Sequence, residues 1–461
     1  MAEQGIEQIQ VPAAEQAPTG TMRALGRNLT SVLDAGREIL ARRRNAQAAA
    51  AQPSSPIAEA QTAGELATLC HDLLEHRGEA SGIALASEIV AAYQALPQGR
   101  RMEFFSILAN DFEVDRDAII SAVDRYRADS KLEHLWSLKG AVEAPRQKLF
   151  RRLNTAPGGT KALVAMRGDL LKALRKHPHF RGIDSDLKHL FISWFNKGFL
   201  ELRKIDWDSP ASVLEKLIDY EAVHEINGWD DMRCRLQEDR RCFAFFHPAL
   251  DDDPLVFVEI ALTQNIPDAI APLMLQDREV SENEPVNTVV FYSISNCHPG
   301  LASISFGNFL IKSVVQELRK EIPTLDTFVT LSPVPGFRKW LLGADLQGLV
   351  ADTLIDRVRE PVERVVELEI FDALQKLCAH YLINTKSGDL PLDPVARFHL
   401  GNGAQLHQVN GAADLSAKGL EQSGGIMVNY LYDLPTIEEN HDAYFDQGKI
   451  AVSKAVRKLA D

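Results

Sequence analysis

Residues 288–295, TVVFYSIS, are followed after a Pro299-Gly300 turn by residues 306–321, FGNFLIKSVVQELRKE, and this pair of stretches decides the fold. The first is apolar, rich in β-branched and aromatic residues, and of a length suited to a buried strand. In the second, Leu310, Val314 and Leu318 recur at helical spacing and form one apolar face. The connection is built from small residues: Gly300, Ala302, Ser303, Ser305 and Gly307. A strand that opens through small residues into a helix leaves unpaired N–H groups and the positive dipole end at the helix start, a setting suited to a pyrophosphate. The stretch matches neither a Walker loop nor a strict GxGxxG, and an ordinary βα turn reads the same way.

Outward from this unit the grammar repeats. Residues 255–262, LVFVEIAL, form a second compact run fit for a buried strand. Residues 327–331, TFVTL, form a third, which runs into Ser332-Pro333-Val334-Pro335-Gly336. Ile426, Val428, Tyr430 and Tyr432 alternate as a late strand should, and residues 441–460 read as a closing helix. Upstream, residues 62–204 are helical almost throughout. Leu66, Leu69, Cys70 and Leu73 share a face, as do Leu163, Met166 and Leu170 behind a candidate N-cap at Thr160, and Leu187, Leu190, Phe191 and Trp194. The expected organisation is an N-terminal extension and linker over 1–61, an α-helical domain over 62–205, and a mixed-sheet α/β domain over 206–461.

A chain of 461 residues exceeds one ordinary core, and 45% hydrophobic with 25% charged residues is a globular composition. Fifty basic against 64 acidic residues, net charge -14, argue against bulk nucleic-acid binding. The absence of a run of about 18 apolar residues argues against a membrane span. Cys70, Cys234, Cys242, Cys297 and Cys378 are scattered and contain no CxxC pair, which speaks against a disulfide scaffold or a structural zinc and for a reducing cytoplasm. Residues 22–44 carry a basic amphipathic pattern that Asp34 and Glu38 interrupt, so a helical extension is expected rather than a transit peptide. Residues 45–57, NAQAAAAQPSSPI, read as a linker, and the ending Arg457-Lys458-Leu459-Ala460-Asp461 is no peroxisomal address. The expected location is cytoplasmic.

Two further segments carry chemistry. Ser332 lies at a strand end, where α/β sheets place their ligands, although turn chemistry accounts equally for a serine before a proline. His399, in FHLGNGAQLH, precedes a Gly401-Asn402-Gly403 turn, where an imidazole can move a proton near neutral pH. Spacing alone does not rank it above His407. His134, His177, His179 and His189 read as surface or capping residues.

Taken together, residues 291–318 (FYSISNCHPGLASISFGNFLIKSVVQEL), 330–343 (TLSPVPGFRKWLLG) and 393–406 (DPVARFHLGNGAQL) resemble malonyl-CoA decarboxylase, with further likeness over 247–263 and 416–434. The resemblance implies a helical oligomerisation domain, serving a homo-oligomer (dimer or tetramer), and a catalytic domain similar to the GNAT acetyltransferase fold. It implies decarboxylation of malonyl-CoA to acetyl-CoA and CO2 without metal, biotin or nicotinamide, and catalytic roles for Ser332 and His399. It also implies CoA contacts on Ala302, Ser303, Ile304, Ser305, Phe306, Gly307, Asn308 and Ile311. This chain departs from the family at Ala302-Ser303, where a Gln-Gly start occurs; backbone donation survives that change. The alternatives are an acyl-CoA-dependent acyltransferase on the same fold and an inactive CoA-binding scaffold. A Ser-His-Asp hydrolase lacks support, because no GxSxG elbow surrounds Ser332.

Overall fold

The structure is a computed structural model that describes residues 62–276, 286–304, 306–361 and 368–460, with backbone alone at 307–309 and 368. The expected extension and linker over 1–61 lie outside the described residues, as does Ser305. The chain divides into two compact units at Leu190/Phe191.

The first unit is helical, as its apolar periodicity requires. Thr62 and Glu65 cap the helix Ala63–Glu75 reciprocally, and Leu66, Cys70 and Leu73 are buried along it. The helix Gly159–Ala173 begins behind Gly158 rather than at Thr160, which lies inside it and donates to Asn154. A Cβ at Gly159 would stand 2.1 Å from the Leu153 carbonyl oxygen, so only glycine permits this entry. The helices Arg116–Ala128 and Leu132–Ala141 differ from the rest. The second of them buries no side chain, and Ile120, Leu132, Leu135, Trp136 and Val142 stand exposed across the pair.

The second unit is built on a mixed sheet. Its strands are β1 (Glu201–Ile205), β2 (Arg240–Phe246), β3 (Val256–Thr263), β4 (Thr288–Asn296), β5 (Thr327–Thr330), β6 (Ser332–Pro333), β9 (Gln405–Asn410) and β10 (Met427–Leu431), with a separate hairpin of β7 (Lys386–Ser387) and β8 (Leu390–Pro391). The order is β1-β2-β3-β4-β5-β10-β6, with β9 on β10. Because Glu201–Ile205 pairs residue for residue with Cys242–Phe246, the sheet starts before the expected boundary at 206. The pattern of β1 is half exposed, which left it without an apolar signature. In β3 the whole run from Val256 to Leu262 is buried, including Glu259, whose carboxylate accepts from Arg235 at 2.6 Å. The expected closing helix is two, Ile437–Gln447 and Lys454–Ala460, separated after a left-handed Gly448.

One pairing positions everything that follows. β4 and β5 are parallel, from Thr288↔Thr327 to Phe291↔Thr330, joined by the helix Gly307–Glu321 as a parallel crossover demands. Parallel strands end at the same sheet edge, so the loop leaving β4 and Ser332 beyond β5 share that edge. After Phe291 the two part company: β4 continues along β3 to Asn296, while Ser332–Pro333 turns to pair with β10.

Candidate active site

Val329↔Leu431 and Ser332↔Val428 continue one register, which sets Thr330 opposite Tyr430. Alternation then places Thr330, Ser332, Tyr430 and Tyr432 on one face of the sheet. Thr330 is wholly buried, and its hydroxyl oxygen accepts from the Ser332 hydroxyl at 2.9 Å and from the Tyr430 N–H at 3.2 Å. The serine hydroxyl is thus held from the end of β5.

His399 is delivered from elsewhere in the chain. The expected short segment before a turn is the last turn of a helix, Pro394–Gly401. Asp393 caps its start, accepting from the N–H groups of Val395 and Ala396 at 2.9 Å each, with Pro394 at the first position. Gly403 ends the turn at φ +85, where a Cβ would meet the Ile437 carbonyl oxygen at 2.0 Å. The imidazole lies over the Tyr430 ring with centroids 4.6 Å apart. Its Nε2 is 3.2 Å from Ser332 Oγ and its Nδ1 is 2.8 Å from the Tyr432 hydroxyl. His399 is 3% exposed and Ser332 6%, so the whole chain Thr330–Ser332–His399–Tyr432 is shielded from water. His407, by contrast, sits half-buried on β9, and Ser332 bonds His399 instead.

Burial alone takes the His399 imidazole down to about 3. An unfolded histidine titrates near 6.5, so between these values the unfolded chain holds a proton that the native state excludes. The stability this group contributes is present above pH ~6.5 and is lost as pH falls toward 3, by at most about 1.4 kcal/mol per pH unit. Urea unfolding between pH 7 and 4 is expected to weaken less steeply in His399→Gln than in wild type. Equal slopes would contradict a neutral imidazole at this depth.

Ala302 and Ser303 are exposed, whereas the side chains of Ile304, Phe306 and Ile311 are buried in the protein, Phe306 against Phe195. Gly307 and Asn308 open the helix Gly307–Glu321. Ser303 has φ +65, a conformation at ease only in glycine. Ser303→Gly is therefore expected to stabilise the protein by about 1 kcal/mol in thermal unfolding, and Ser303→Ala to bring no such gain. A destabilised glycine variant would contradict the strain.

Sequence reasoning missed Thr330, Tyr430 and Tyr432 as site residues. The tyrosines were visible as alternate positions of a strand, and Thr330 stands two residues before Ser332, but neither signal is chemical.

Fold and site together define a protein with a helical unit followed by a mixed-sheet unit that holds a buried serine–histidine pair at the edge of its sheet. The malonyl-CoA decarboxylase C-terminal domain family matches residues 198–461 and the corresponding N-terminal domain family residues 112–195. Mitochondrial malonyl-CoA decarboxylase of Rattus norvegicus is 35% identical over 81% of this chain and 84% of its own length, and that of the goose Anser anser anser 33% identical over 80% and 82%. Malonyl-CoA decarboxylases of known structure from Rhodopseudomonas palustris and Agrobacterium vitis share 48% and 47% identity, at TM-scores of 0.82 and 0.80, each covering 86% of this chain and 100% of theirs. The chain belongs to the malonyl-CoA decarboxylase family. Among the described residues, no helix is long and apolar enough to cross a membrane.

Proposed function

We propose that this chain carries out its family's reaction, decarboxylation of malonyl-CoA to acetyl-CoA and CO2, with His399 as the proton donor to the enolate. Ser332 orients the malonyl carboxylate and accepts the hydrogen bond of the His399 Nε2–H. Loss of CO2 leaves an electron pair on the α-carbon, which the thioester carbonyl holds as an enolate. The scheme needs no metal, biotin or nicotinamide, because the thioester itself is the electron sink. The enzyme has to stabilise the enolate oxygen and supply one proton to carbon. No acyl-serine forms, since no acyl group changes partner.

The observation that carries this reading is the buried hydrogen-bonded chain through His399. When Tyr432 donates to Nδ1, the imidazole keeps its proton on Nε2, directed at Ser332, and Ser332 donates onward to Thr330. That arrangement leaves the proton on Nε2, on the side of the ring that faces Ser332. An anionic malonyl group beside the ring also favours the imidazolium, as do the carbonyls of the helix's last turn; in that charged form Nδ1–H donates to the Tyr432 oxygen. The substrate thereby offsets the desolvation that otherwise keeps His399 neutral.

In the same reading the CoA moiety lies along Ala302 to Asn308 and Ile311, its phosphates taken by N–H groups at the start of the helix Gly307–Glu321. The test is release of CO2 from malonyl-CoA by wild type, Ser332→Ala and His399→Gln side by side. Wild-type turnover in both variants would overturn the assignment.

A homo-oligomer, dimer or tetramer, formed through the helical unit belongs to this proposal. Its support is the exposed apolar side chains around Trp136, which is 59% exposed. Trp136→Glu is expected to lower the mass measured by light scattering, and an unchanged mass would count against this surface. A cytoplasmic setting is supported by five free thiols.

A further inference from the structure

We propose that Asp393 is a positioning residue of the decarboxylation: its carboxylate sets the helix that carries His399 against the loop that leaves Ser332. The inference rests on Ser332 and His399 as the catalytic pair.

Asp393 stands at the start of the helix Pro394–Gly401 and is 1% exposed. Pro394 has no N–H, so the first turn offers the N–H groups of Val395, Ala396 and Arg397, and Asp393 accepts them all. Its Oδ1 takes Val395 and Ala396 at 2.9 Å each, and its carbonyl oxygen takes Arg397 at 3.1 Å. His399 lies further along the same helix. At a rise of about 1.5 Å per residue its Cα is borne about 9 Å from the cap, so a tilt of about 6° there displaces it by about 1 Å.

Capping uses Oδ1 alone. The other oxygen, Oδ2, is turned to the backbone of Gly336, where an added Cβ would stand 3.3 Å from it and 2.5 Å from the Tyr381 hydroxyl. A side chain at this position would push helix and loop apart, and glycine lets the carboxylate close on the loop. Between Ser332 and Gly336 the chain is stiff. Pro333 and Pro335 fix φ, and the Val334 N–H donates to the buried Ser423 hydroxyl at 3.1 Å. One side chain thus meets both the helix that delivers the imidazole and the loop that fixes the serine, whose Oγ lies 3.2 Å from Nε2. Asp393 touches no reacting atom in this scheme. It acts on how His399 meets Ser332, and hence on turnover.

The test is a double-mutant cycle on CO2 release from malonyl-CoA with His399→Gln, with thermal unfolding beside it. Asp393→Ser keeps a capping oxygen but has no second one to set against Gly336, so its melting temperature is expected to stay near that of wild type. Its kcat is expected to fall about tenfold with KM within about twofold, and to fall no further in the His399→Gln background. Asp393→Asn keeps both the acceptor and the bulk at Gly336, and is expected to hold kcat within about twofold of wild type. Gly336→Ala, which presses on the same junction from the serine side, is expected to slow turnover as the serine variant does. Wild-type kcat in Asp393→Ser would reduce Asp393 to a helix cap and overturn the proposal. Equal losses in both backgrounds, wild-type kcat in Gly336→Ala, or an asparagine variant as slow as the serine one would overturn it too. Wild-type turnover in His399→Gln would instead remove the reading on which it rests.

Discussion

His399→Gln is expected to release CO2 from malonyl-CoA about 10²–10⁴-fold more slowly than wild type, the range typical of a lost general acid. Glutamine approximates the volume and hydrogen-bonding reach of the imidazole but cannot carry a proton to carbon. Its amide can still meet Ser332 Oγ, which lies 3.2 Å from the ring, so the loss is expected in kcat with acetyl-CoA affinity retained. A second readout separates proton delivery from packing. Binding of a malonyl thioester analogue that cannot lose CO2 is expected to take up about one proton per site at neutral pH in wild type, and none in the variant. Calorimetry in buffers of different ionisation enthalpy measures that number. No proton uptake in wild type would mean that the anionic group does not recharge His399.

Ser332→Ala is the second large effect. Loss of the hydroxyl that orients the malonyl carboxylate is expected to cost about 10²-fold in kcat, the scale of a misplaced reacting group, and Ser332 is held in place by Thr330 at 2.9 Å. The same substitution strips a partner from Nε2 of a buried ring, a desolvation cost of about 1–3 kcal/mol visible in urea unfolding. Because Ser332 and His399 share one contact, their losses are expected not to add in Ser332→Ala/His399→Gln. Full additivity would place the two residues in separate functions. Trapping of an acyl group on Ser332 would replace the enolate scheme with nucleophilic catalysis.

Much of the architecture was legible from local pattern. β3, β4 and β5 are continuous buried runs, and the helix Gly307–Glu321 follows from Leu310, Val314 and Leu318, because strand and helix periods are properties of neighbouring residues. β1 and β9 escaped notice, as their faces alternate between exposed and buried without a clean apolar set. The helix that carries His399 escaped too. It spans eight residues, too few for a periodicity signal, and its Asp393-Pro394 start resembles turn chemistry as much as a cap.

What the amino-acid order determined by itself was the division into a helical and a mixed-sheet half, the strand–loop–helix unit, and the ordered phrases that placed Ser332 and His399 in one family. What only the tertiary structure decided was which histidine meets Ser332, and what stands behind it. His399 and His407 lie eight positions apart and read alike along the chain. The first is brought to Ser332 because its helix rests where β10, paired with both β5 and β6, carries Tyr430 beneath the ring and Tyr432 at Nδ1. That meeting depends on register between strands a hundred residues apart. A strand's period of two says which side chains share a face, and it is silent on what lies opposite until the pairing is made.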